Sequence, residues 1–174
     1  MRLIQLINLM NSYVGFENGD GIFVTGGSNA NLVAMFSARN YIAPDFRSAG
    51  VDRSMKLTAF VNEQFHYSMD IAANLLGIGT RNIVKIKSDA NGAMDPHELD
   101  MALQQSIDRG ETPFFVVATC GTTVLGAFDP VEEVNAVCKK HNVWLHVDGA
   151  FGGSLILSPK YQHLFKGADQ ADSF

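Results

Sequence analysis

Apolar and polar positions follow two rhythms along this chain, and they alternate. Leu3, Leu6, Ile7, Met10 and Val14 recur at helical spacing with Gln5, Asn8 and Asn11 on other faces, which predicts an amphipathic helix. After the turn cluster Asn18-Gly19-Asp20-Gly21, residues 22–25 read as a short strand. A glycine pair then feeds a helix running from Ser28 through Leu32, Met35, Phe36 and Arg39 and ending before Pro44. Residues 57–61 and 83–86 read as strands, separated by a short helix over 68–76 that Gly77 stops. Asp95-Pro96-His97-Glu98 has the cap, proline and acid that open a helix, with Leu99, Leu103 and Ile107 on one face and Arg109-Gly110 at its end. The continuous apolar run at 113–118 is what a strand covered on both faces requires. A further helix follows Asp129-Pro130, with Glu132 and Glu133 in its first turn and Lys139 and Lys140 in its last, the charge order that suits the helix dipole. It leads to a buried strand over 143–147 that runs into Asp148-Gly149-Ala150.

Strand and helix therefore alternate, which predicts an α/β domain with a mostly parallel sheet covered by helices on both faces. The 174 residues, 47% of them hydrophobic, suffice for one core. A net charge of −5, with no basic run longer than Lys139-Lys140, gives no footprint for nucleic acid or an anionic membrane. No stretch is apolar for long enough to span a bilayer, and Gln5 and Asn8 interrupt what a signal peptide would need. Cys120 and Cys138 lack metal or disulfide spacing, so reduced thiols and a cytoplasmic setting are expected.

The candidate chemistry collects at the carboxyl ends of the strands, where open α/β sheets bind ligands. Gly26-Gly27-Ser28 joins a glycine turn to a helix start, where free amides and the helix dipole favour a phosphate; an ordinary cap by Ser28 or Asn29 is the alternative. It is no dinucleotide fingerprint, because Asn82 stands where the third glycine after Gly77 and Gly79 belongs. His66 leaves one strand end, the hydroxyl-rich loop 119–123 leaves another, and Asp148 ends the last, where it is either a site acid or the cap of a turn. A phosphate cradle, a flat imidazole, hydroxyls and one buried acid fit pyridoxal 5'-phosphate: the acid would keep the pyridine nitrogen protonated, with His66 on one ring face and Ala150 on the other.

The chain also resembles the group II pyridoxal-phosphate decarboxylases, in particular the glutamate and cysteine-sulfinate decarboxylases. The stretches that carry the resemblance are Gly19-Asp20-Gly21-Ile22-Phe23 with Gly26-Gly27-Ser28, His66-Tyr67-Ser68, Leu76-Gly77-Ile78-Gly79-Thr80, the run 121–130, His146-Val147-Asp148-Gly149-Ala150 and Ala171-Asp172-Ser173. It implies the large, cofactor-binding domain of fold type I, phosphate contacts at Gly27 and Ser28, ring stacking by His66, a hydrogen-bonding role for Thr119 and a salt bridge from Asp148 to the pyridine nitrogen. His66 and Asp148 are then the catalytic candidates, and Gly27, Ser28, Thr119 and Ala150 complete the cofactor set. The implied reaction is decarboxylation of a small acidic amino acid by a homodimeric lyase of amino acid metabolism.

Two departures stand out. Asp148-Gly149-Ala150-Phe151 replaces the family's usual Asp-Ala-Ala-Trp or its Tyr variant, and none of the seven lysines lies in the His-Lys pair that anchors the cofactor in such enzymes. The span is therefore expected to be a piece of the large domain, without the substrate segment, lysine strand and small domain, inactive alone and with an open sheet edge. A serine hydrolase with Ser28 as nucleophile and Asp148 and His163 as partners is an alternative, as is a non-catalytic interaction fragment. A metal site on His141, His146 and Asp148 is not expected, on the argument that strand positions alternate between faces.

Overall fold

A computed structural model of the chain describes residues 2–52 and 54–174. The first rhythm produces helices α1 (Arg2–Val14), α2 (Gly27–Ile42), α3 (Phe46–Ala49), α4 (Ser68–Leu75), α5 (Pro96–Asp108) and α6 (Val131–His141). The second produces strands β1 (Leu57–Asn62), β2 (Ile83–Ile86), β3 (Thr112–Thr119) and β4 (Trp144–Asp148), all parallel, in the order β2-β1-β3-β4. Short 3₁₀ turns occupy Thr80–Asn82, Gly153–Leu157, Gln162–Phe165 and Ala168–Gln170.

Each strand sends alternate side chains to opposite faces, so the sheet separates two cores. Phe60, Val116, Leu145 and Val147 pack with Leu99 and Leu103 of α5 and Val134 and Cys138 of α6. Ala59, Val61, Phe115 and Val117 pack instead with Met35 and Ala38 of α2 and Met69 and Ala72 of α4. The helix starts follow local rules. Asp95 caps α5 by accepting from the amides of His97 and Glu98 at 2.8 and 3.4 Å, with Pro96 in the first turn. Asn142 in the left-handed region ends α6.

Four local expectations change. Residues 22–25 are irregular backbone rather than a strand: no strand among the described residues pairs with them, and Ile22 and Phe23 are exposed. The α1 helix forms, but its apolar stripe is mostly outward, with Leu3, Leu6 and Met10 exposed and, among its described residues, only Val14 buried. The run at 113–118 contains a bulge: Thr58 faces Pro113 and Ala59 faces Phe115, so Phe114 is the extra residue. The bulge puts Phe114 and Phe115, neighbours in sequence, into the same core with rings stacked at 5.8 Å. The outer edge of β4 is partly occupied, because Val147 N–H donates to the Ser173 carbonyl at 2.8 Å and the Asp172 and Ser173 amides donate to Leu145 O at 3.0 and 3.2 Å.

Asp129 precedes α6 without capping it, since Pro130 is the N-cap and no side chain bonds the helix start. Its carboxylate is buried and accepts from Asn62 Nδ2 at the end of β1 (2.6 Å), from Met94 N (2.7 Å) and from Thr119 N at the end of β3 (2.7 Å). Burial raises its pKa above the ordinary carboxyl range, against the pull of these three donors. The folded chain thus holds this proton more tightly than the unfolded one. Asp129 contributes fully below about pH 4, the unfolded value, and that contribution is lost as pH rises through the folded value. Asp129→Asn should flatten this pH dependence. It should also cost about 1–3 kcal/mol in urea unfolding at neutral pH, because an amide NH₂ replaces an oxygen that faces a buried donor.

Candidate active site

The strand ends Asn62, Thr119 and Asp148 lie along one edge of the sheet, and Thr119 and Asp148 are in register on β3 and β4. Beyond this edge is a cavity of about 250 Å³. Gly27, Ser28, His66, Thr119, Asp148 and Ala150 all line it, so the six residues singled out from sequence converge from four separate segments. A larger depression of about 820 Å³, between α1 and the segment 169–174, shares none of them.

The start of α2 forms one wall. Gly26, with φ 129°, is the N-cap and no side chain caps the helix, so the capping role considered for Ser28 or Asn29 is not the one observed. The amides of Asn29 and Ala30 turn back to Gly26 O at 3.0 Å each, whereas those of Gly27 and Ser28 have no acceptor among the described residues. These two free N–H groups and the Ser28 hydroxyl are a ready anion site. A Cβ on Gly27 would come within 2.7 Å of Ala150 Cβ, so the glycine also permits the helix start to approach the turn after β4.

His66 forms a second wall. Its Nδ1 accepts from Ser68 N–H at 3.2 Å, which fixes the ring's orientation, and Tyr67 lies beside it with centroids 4.3 Å apart.

Asp148 forms the floor, 7% exposed. Its Oδ1 accepts from Ala150 N–H at 3.0 Å, so it does cap the turn, while Oδ2 accepts from Asn31 Nδ2 at 2.9 Å. Both partners are neutral donors. No lysine or arginine lines the cavity, so a carboxylate here has no cationic partner among the described residues. The nearby Cys120 thiol is driven up by burial, with Asp129 and Asp148 adding to the effect, and stays protonated.

Sequence reasoning missed Asn31, which lines the same cavity and is 3% exposed. The available signal was its place on the inward stripe of α2 with Ala34, Met35 and Ala38, where an amide needs buried partners. Asn31 Nδ2 also donates to Ser68 Oγ at 2.9 Å, and its Oδ1 lies 3.0 Å from His146 Nε2. His146 and Asp148 thus share a face of β4, being two residues apart, and the opposite-face argument against their cooperation fails. His141 lies elsewhere, bonded to Asp100 at 2.5 Å, and among the described residues no three His, Cys, Asp or Glu side chains could hold a metal. His163 is exposed in its 3₁₀ turn and does not line the cavity, so the triad with Ser28 and Asp148 is not assembled.

Residues 1–174 match the model of the pyridoxal-dependent decarboxylase conserved domain. The chain belongs to this family. It is 44% identical over 168 residues to an acidic amino acid decarboxylase of Homo sapiens, covering 97% of this chain and 32% of that protein. It is 41% identical over 169 residues to the cysteine sulfinic acid decarboxylase of Homo sapiens, covering 97% and 34%. The crystal structure of mouse CSAD superposes with a TM-score of 0.94 at 40% identity, over 97% of this chain and 36% of that one. That of Oryza sativa TDC with PLP superposes at 0.86 and 28% identity, over 97% and 38%. This decarboxylase-family chain spans about a third of the length of the curated relatives it matches, and its fold is the fold type I arrangement of those neighbours.

The contact between Gly27 and Ala150 is open to test by compensation. Gly27→Ala should destabilise the chain by about 1–3 kcal/mol through overpacking, and adding Ala150→Gly should recover most of the loss in thermal unfolding.

Proposed function

We propose that this chain is part of the cofactor-binding domain of a pyridoxal-phosphate-dependent carboxy-lyase acting on a small acidic amino acid. One observation carries the reading: a buried carboxylate bonded only to neutral donors faces the same cavity as the unpaired amides that open α2. The donor set suits a flat, phosphorylated, nitrogen-bearing ring. When bound, pyridoxal phosphate supplies a protonated ring that takes up the electron pair left as an amino acid loses carbon dioxide. The Gly27 and Ser28 amides, with the Ser28 hydroxyl, would hold the phosphate, and Gly27 leaves room for it. Asp148 would supply the charge that keeps the proton on the ring nitrogen, in surroundings dry enough to strengthen the pair. His66 and Ala150 would bound the two ring faces, and the Thr119 hydroxyl, beside Asp148, would hydrogen-bond the cofactor.

The acidic substrate class is supported by what the relatives are named for, acidic amino acids and cysteine sulfinic acid. A cytoplasmic homodimer is proposed with it. Two free buried thiols suit a reducing compartment, and the outward apolar side of α1 suits a partner surface. No helix among the described residues is long and apolar enough to cross a membrane.

None of the seven lysines lines the cavity. Pyridoxal phosphate is therefore expected to bind this chain reversibly, and borohydride reduction with peptide mapping should give no single stoichiometric lysine adduct. Trapping on one lysine would overturn that expectation. The acid is tested in a decarboxylase of the relatives' length that carries this chain. Asp148→Asn should lower single-turnover decarboxylation about 10²–10³-fold at matched cofactor occupancy. An unchanged rate would reduce Asp148 to the turn cap it also is.

A further inference from the structure

A line of hydrogen bonds leads from the sheet's outer edge to the cavity floor. Trp144 Nε1 donates to Ser173 Oγ at 2.9 Å, Ser173 Oγ lies 2.9 Å from His146 Nδ1, His146 Nε2 lies 3.0 Å from Asn31 Oδ1, and Asn31 Nδ2 reaches Asp148 Oδ2 at 2.9 Å. The two ends are chemically fixed. An indole N–H only donates, and a carboxylate only accepts. The Asp148 end sets the direction at the cavity, because Asn31 must donate through Nδ2 and so turns its Oδ1 to accept from His146 Nε2. Ser173 Oγ accepts from Trp144 and, against a neutral ring, donates to His146 Nδ1. His146 carries a proton on Nε2, which it gives to the Asn31 carbonyl. The Asn31 amide hydrogens are left for Asp148 and for Ser68 Oγ, whose own backbone N–H is on His66 Nδ1.

Burial agrees with a neutral ring. His146 is 3% exposed and stacked on Phe115 at 5.8 Å, and desolvation pulls its pKa down to about 4 against the attraction of Asp148 and a hydrogen bond to the Ser173 backbone. The opposite tautomer would present a lone pair to Asn31, turn its amide over and aim a carbonyl oxygen at the Asp148 carboxylate.

We propose that Asn31 and His146 are positioning residues which, through hydrogen bonds of one direction, hold Asp148 and His66 toward the cofactor. The proposal rests on the functional reading above. Neither residue needs to touch the reacting atoms. Asn31 places one amide hydrogen on the acid and the other on the serine that orients the imidazole, so one side chain sets both walls.

The test uses the 174-residue chain and pyridoxal 5'-phosphate. Long-range proton–nitrogen correlation spectra of the histidine rings should show His146 as a neutral ring protonated at Nε2 throughout pH 6–8. An imidazolium, or a ring protonated at Nδ1, overturns the proposal. Asn31→Leu keeps the approximate volume without the amide and should weaken cofactor binding about tenfold, the worth of one hydrogen bond to a charged group. His146→Gln, which can still donate to Asn31 Oδ1, should retain more affinity than His146→Leu. Unchanged affinity in a folded Asn31→Leu chain, with amide exchange like the wild type, also overturns it. Should a variant fail to fold, the wild-type ring pattern decides. A wild-type chain without affinity for the cofactor would instead refute the functional reading, and the direction of the hydrogen bonds would stand or fall on the ring pattern alone.

Discussion

The edge of the sheet that carries the site depends on one buried acid. Asp129 gathers the amide of β3's last residue, the side chain of β1's last residue and the amide of Met94 onto two oxygens. Two adjacent parallel strands, each free to fray at its carboxyl end, are thereby closed at the same level. Parallel pairing leaves such ends without a hairpin to finish them, so a side chain must do the work. Thr119 then sits in register with Asp148, and Asn62 uses its remaining groups to pin the Gly92 carbonyl and the Gln64 amide. The loop bearing His66 starts from this fixed point.

Much of this architecture was legible in the chain because parallel strands buried on both faces cannot be polar. The runs ending at Val61, Ala118 and Val147 had no other plausible use, and Asp95-Pro96 announced its helix by cap chemistry alone. What failed was local sequence read without its neighbours. Residues 22–25 have strand composition but, among the described residues, no strand pairs with them, and the bulge at Phe114 depends on β1 across from it. The outward stripe of α1 is amphipathic in sequence whichever side is covered.

The site divides in the same way. Gly27, Ser28, His66, Thr119, Asp148 and Ala150 could be collected because each follows a strand or opens a helix, positions where topology itself directs side chains or amides outward. Asn31 and Asp129 could not. Asn31 sits in mid-helix among apolar neighbours, and Asp129 looks like any acid before a proline. Their roles come from partners far away in sequence, His146 and Asp148 for the first and Asn62 and Met94 for the second. Side chains whose work is to orient others leave little trace in spacing.

The pairing of Asp172 and Ser173 along β4 links two properties that are usually separate. The same serine that lends its carbonyl to the sheet lends its hydroxyl to His146 and accepts from the Trp144 indole N–H. Peeling this short segment away would uncover the strand's backbone and, in the same event, strip the imidazole of its outer partner. Loss of order at the margin of the sheet would then be felt at the cavity floor as a change in electrostatics, well before any loss of shape. The stability of a two-residue contact thus sets how long the interior keeps its polarity.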